Sequence, residues 1–171
     1  ANPAAPAFDS MYWINAWAYD LAVGGGKAFV SVNNGPSWVV ELDALNLAGS
    51  GEANILDTAQ TASLTLAGEM LYAADSGYGL YQINTAAANT VTSLAMAPAP
   101  QSFRLLGEYG FGLNGGSIIA VHISGASLTT AGEFYIDQWR ETGNTLEVGP
   151  DVAGNPLIYL PAFMGLGTYQ V

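Results

Sequence analysis

His122 is the only histidine in the chain, and there is no cysteine. A histidine between Val121 and Ile123 on a strand points away from both neighbours, toward solvent or a groove. Ser124, Glu133 and Asp137 are its conceivable partners for acid–base or nucleophilic work, but no Gly-x-Ser-x-Gly elbow or His-Glu-x-x-His helix frames them. The plainer reading is a hydrogen-bonded strand histidine. One histidine forbids a histidine metal cluster, and the missing thiols forbid a thiolate nucleophile, an iron–sulfur cluster or cysteine-ligated zinc.

Carboxylates need neither group. Paired acids hydrolyse glycosides when one donates a proton and the other acts as base or nucleophile. Glu133, Asp137 and Glu141 lie near Tyr135 and Trp139, the mix of acid and ring that grips a sugar. Tyr135, Asp137, Trp139 and Glu141, with Trp38, are the binding candidates; the plainer alternative is a buried aromatic face beside a solvated turn, with Asp43 and Asp137 as turn caps. No EF-hand pattern occurs, so no resident cofactor is expected. Calcium is the one weak exception, through loop oxygens at Asn33-Asn34-Gly35, Asp75-Ser76-Gly77 and Asp151.

The charge balance narrows the partners. Fourteen acids face three basic residues, Lys27, Arg104 and Arg140, for a net charge of −11. Such a field repels phosphate backbones and anionic membrane surfaces. No apolar run approaches the roughly 18 residues of a spanning helix. Charged residues make up 10% of the chain, against roughly 25% in ordinary domains, and a surface poor in charge suits an extensive protein interface. With 171 residues, half of them hydrophobic, the chain can bury a real core, which excludes general disorder.

These residues must be held by strands. Three stretches share one form: Gly26-Lys27-Ala28-Phe29-Val30-Ser31-Val32, Gly68-Glu69-Met70-Leu71-Tyr72-Ala73-Ala74 and Gly107-Glu108-Tyr109-Gly110-Phe111-Gly112-Leu113. Each passes through an Asn-Gly or Asp-Ser-Gly turn into a second strand ending in Leu42-Asp43, Ile83-Asn84 or Ile123-Ser124. Another short strand is expected after each, near Ile55, over Val91 to Met96 and over Phe134 to Trp139. Gly154 onward forms a fourth, degenerate unit, with strands at Leu157 to Leu160 and Gly165 to Val171. Glycines and β-branched residues interrupt every helical candidate, so the chain is all-β, made of short antiparallel hairpins.

Units of about forty residues invite comparison with repeat folds. Met70-Leu71-Tyr72-Ala73-Ala74-Asp75 and Gly79-Leu80-Tyr81-Gln82-Ile83-Asn84 resemble the blades of extracytoplasmic β-propeller proteins. That resemblance covers about residues 21–124 and implies radial sheets with a ligand or partner at one face of the ring. The length holds only about four blades, so an incomplete ring, a ring completed by partner subunits and a β-sandwich or jelly roll all fit the pattern. Residues 1–9 are expected to be a flexible arm or exchanged strand. Residues 10–171 are expected to form one β domain, with blade-like units near 21–62, 63–102, 103–130 and 150–171.

The expected function is a non-enzymatic extracytoplasmic structural or assembly protein, a subunit of a filament, surface layer, shell or larger β assembly. Its candidate contact residues are Phe8, Tyr12, Trp13, Trp17, Tyr169 and Val171, and its expected partners are copies of itself or other protein subunits. The alternatives are a carbohydrate- or peptide-binding β module with an aromatic-lined face, and a glycoside hydrolase. Ala1 and the loose tract behind it fit a chain released from a secretory signal, placing it in the periplasm, at the cell surface or outside the cell.

Overall fold

The computed structural model describes residues 11–33, 37–47, 51–58, 60–87, 89–114, 116–136, 145–151, 153, 155–162 and 165–170, and the side chains among these outside 156, 161–162 and 165–170. Among the described residues fifteen strands form four antiparallel sheets, each running in simple chain order. The first sheet is β1 (Trp17–Gly24), β2 (Lys27–Asn33), β3 (Ser37–Asp43) and β4 (Ala53–Thr58). The second is β5 (Thr61–Ala67), β6 (Met70–Asp75), β7 (Gly79–Asn84) and β8 (Thr90–Ala95). The third is β9 (Ser102–Leu106), β10 (Tyr109–Asn114), β11 (Ser117–Ser124) and β12 (Ser127–Tyr135). The fourth has three strands among the described residues: β13 (Glu147–Pro150), β14 (Pro156–Ala162) and β15 (Gly165–Gln170).

Local chemistry sets the hairpins. Gly25 and Gly26 both have positive φ, 59° and 78°, as a two-residue hairpin turn matched to strand twist requires. Strand ends are capped as the apolar–polar pairs suggest. Asp43 Oδ1 accepts from the N–H groups of Leu45 and Asn46, and Asn84 Oδ1 accepts from those of Ala86 and Ala87. One expectation changes. Between β3 and β6 lie two strands, β4 and β5, and β8 is likewise followed by β9. The third sheet's last strand covers Ser127–Tyr135, beginning before the stretch expected from Phe134 to Trp139.

The sheets pack in series. Phe29 and Val39 of the first meet Leu64, Leu71 and Ile83 of the second. Tyr72 and Leu80 of the second meet Phe103, Ile119 and Val121 of the third. Phe111 and Ile118 of the third meet Leu146, Ile158 and Leu160 of the fourth. Two facing sheets, as in a sandwich, are not what these hairpins build.

The joints repeat one rule. Cross-strand pairs Ala22–Phe29, Thr65–Tyr72, Arg104–Phe111 and Glu147–Tyr159 occupy the same place in the four sheets. Phe29, Tyr72 and Phe111 are rings turned toward the following sheet and buried there. One residue before each inner-strand partner stands the apolar group received by such a ring: Leu64, Phe103 and Leu146, all buried. Apolar burial and ring contacts stabilise each of these three joints.

The few cations cross the joints as well. Lys27 Nζ lies 2.9 Å from Glu41 Oε1 in its own sheet and donates to Thr85 O beside the second. Arg104 donates from Nη1 to Ser63 Oγ of the second sheet and from Nε to Glu147 Oε1 of the fourth.

Candidate functional site

The four inner strands converge on a hollow of about 390 Å³ lined by Tyr19, Asp20, Gln60, Ala62, Ser63, Ser76, Gln101, Ser102, Arg104 and Thr145. Every sheet contributes through its inner strand or the one or two residues before it, and Ser76 is added from the turn after β6. The polar groups here are largely engaged in holding the sheets. Asp20 Oδ2 accepts the Leu64 N–H across the first joint, and Ser102 Oγ accepts the Leu146 N–H across the third. Both rim residues therefore receive the backbone of the next sheet's apolar plug. Among the described residues, Asp20 is the one carboxylate that lines the hollow. Paired-acid hydrolysis needs two carboxyl groups roughly 5–9.5 Å apart, and the described residues of the lining supply one.

Of the partners considered for His122, Glu133 is held away from it. The His122 Nε2 lies 4.0 Å from Glu108 Oε2 and its ring centroid 5.3 Å from that of Tyr109. Glu133 pairs with Ile119 further along the same sheet, whereas His122 pairs with Thr129. Among the described residues no three His, Cys, Asp or Glu side chains are grouped as metal ligands. The turn acids considered for calcium hold backbone: Asp75 accepts from the N–H groups of Gln60 and Gly77, and Asp151 from those of Ala153 and Asn155.

Trp38 sits half-buried on β3, against the far face of the first sheet, whereas Tyr135 is exposed at the end of β12 in the third. The structure does not bring this pair together in one cleft. Asp137, Trp139 and Glu141 lie outside the described residues. So do Phe8 and Val171, and Tyr169 is described only as part of β15.

The remaining contact candidates fall in one place. Residues 11–16 run as a strap across the first sheet's far face, with Tyr12, Ile14 and Ala16 packed on Val30, Val32, Val40 and Leu42. Tyr12 Oη donates to Glu52 Oε1 at 3.4 Å. Trp13 and Trp17 remain 77% and 78% exposed and line a second hollow of about 410 Å³ with the residues between them. Tyr19, Leu21 and Val23 continue the exposed apolar run down β1. Composition points to Trp13 and Trp17; Leu21 and Val23 were missed because an alternating apolar strand reads as ordinary core.

This architecture is a β-propeller fold: consecutive sheets, three of four strands and one of three among the described residues, packed face to face with their first strands at the centre. The chain resembles the computationally designed Ika4 protein with TM-score 0.67 and 12% identity, over 95% of this chain and 96% of that one. It resembles Saccharomyces cerevisiae Sqt1 with TM-score 0.72 and 10% identity, over 92% of this chain and 47% of that one. The designed Ika8 protein matches with TM-score 0.64 and 12% identity, over 90% and 46%. The chain therefore spans about half the length of Sqt1 and Ika8. No family model and no curated protein sequence matches it.

Proposed function

We propose that this chain is a non-enzymatic propeller scaffold that works through protein–protein contacts as a structural or assembly subunit outside the cytoplasm. One observation carries the reading: Trp13, Trp17, Tyr19, Leu21 and Val23 form an exposed apolar run beside the axis. Large contiguous apolar surface is costly in water and marks contact sites, and aromatic anchors supply most of the affinity at such sites. The scarcity of charge supports the same reading, because charged side chains are depleted at interface cores. Export is supported by composition, with a single lysine and a texture rich in Asn, Thr, Ser and Gly.

A photo-cross-linking residue at position 17 tests the scaffold. Adducts of discrete mass are expected from position 17 and not from the exposed Ala153, and they should disappear when Trp13 and Tyr19 become Ser. Equal, diffuse labelling from both positions would remove the basis for the proposal.

A second reading rests on the hollow between Trp13 and Trp17, whose exposed rings suit a sugar face or a peptide side chain. Quenching or shift of tryptophan fluorescence by soluble glycans, lost in Trp13→Ser, would favour it.

A further inference from the structure

Among the described residues the array leaves positions without a neighbouring sheet at both ends. Leu21 precedes Ala22, the partner of Phe29, so it holds in the first sheet the place of Leu64, Phe103 and Leu146. Those three are 4%, 1% and 1% exposed because a preceding sheet covers them; Leu21 is 57% exposed and Val23, two residues on, 60%. At the other end Tyr159 holds the place of Phe29, Tyr72 and Phe111. Ile158 and Leu160 on either side of it are buried against the third sheet, so Tyr159 faces away, where no following sheet lies among the described residues.

Strand number repeats the mismatch. Among the described residues three sheets have four strands and the last has three, with β15 at its edge. The strap, with Tyr12, Ile14 and Ala16 turned onto the first sheet and Met11, Trp13 and Asn15 exposed, alternates as a strand does and lies where a preceding sheet would. An unpaired sheet edge accepts an added strand. Finally, the chain matches proteins of about twice its length over about half of them, Sqt1 at 47% and Ika8 at 46%.

Resting on the scaffold reading, we infer that a second copy of this chain completes the ring head to tail. The last sheet of each copy covers Leu21 and Val23 of the other, placing Tyr159 as the fourth ring of the series. The strap then adds to β15 of the other copy as its missing strand. The two seams are identical, so the assembly closes at two copies and eight sheets, within the four-to-eight range of propellers. Another protein as the occupant, or further blades of a longer chain, are the competing outcomes.

Sedimentation equilibrium of the full 171-residue chain tests this, beside the variant Leu21→Asp/Val23→Asp. The wild type should show twice the 17.7 kDa chain mass. The variant should fall to a single chain with an unchanged far-ultraviolet circular dichroism spectrum, because both side chains are more than half exposed within one copy. A wild type that stays single at every concentration, or an oligomer indifferent to the variant, overturns the inference. A single-chain wild type that still cross-links another protein from position 17 overturns this inference while the scaffold stands. Absence of both overturns the two together.

Discussion

Tyr72 and Phe103 meet across the joint between the second and third sheets, ring centroids 5.9 Å apart and planes tilted by 32°. The distal end of the Phe103 ring sits against Gly110, a position in β10 where a side chain would collide with it. A methyl group at Gly110 would fall 2.6 Å from Phe103 Cε2. Because Phe103 is fully buried, the ring has no free direction in which to yield.

Gly110→Ala should therefore destabilise the protein by about 1–3 kcal/mol, the usual cost of overpacking a filled core. Chemical denaturation would show a lower midpoint with an unchanged slope. The gain of about 0.5–1 kcal/mol expected from replacing a strand glycine by alanine would appear instead if the joint were loose.

Asp75 gives a second prediction. It is fully buried, and its two carboxylate oxygens accept the N–H groups of Gln60 and Gly77. Asp75→Asn keeps the shape but turns one acceptor into a donor facing an N–H. A loss of about 1–3 kcal/mol is expected, the cost of leaving a buried donor without its acceptor. Thermal melting that matches wild type would contradict the assignment.

Alkaline pH should weaken the second sheet. Burial first, then the nearby Asp75 and Tyr78, raise the Tyr81 phenol above its ordinary value near 10. Above that ordinary value the unfolded chain releases the phenolic proton while the folded chain still holds it. Stability is thus intact below pH 10 and falls as pH rises from there through the folded value. Tyr81→Phe should fall less steeply over the same window in pH-jump denaturation, and an identical decline would show that Tyr81 is not the responsible group.

Much of this fold is legible in the residues. Gly26, Gly68 and Gly107 mark the turns into the second strands, and Leu42-Asp43 and Ile83-Asn84 mark strand ends closed by side-chain caps. The inner strands are harder to see. Thr61-Ala62-Ser63-Leu64-Thr65 and Ser102-Phe103-Arg104 are short and mixed, because polar groups line the axis between apolar plugs, so β5 and β9 merge into the linkers. Separating a propeller from a sandwich needs knowledge of which sheet each ring meets. Phe29, Tyr72, Phe111 and Tyr159 differ in type and local spacing, and only strand register shows that they are equivalent. The contact candidates fared unevenly: Trp13 and Trp17 declare themselves by ring size, whereas the exposure of Leu21 depends on a missing neighbour.

Oxidative trapping at the two open ends is the most direct test, and the natural absence of cysteine makes it clean. In Leu21→Cys/Tyr159→Cys, mild oxidation should give a covalent species of twice the chain mass on non-reducing gels, while either single variant stays at one chain mass. A single-chain product in which both thiols have become inaccessible to alkylation would mean that the ring closes on itself within one copy, contradicting the open half-ring.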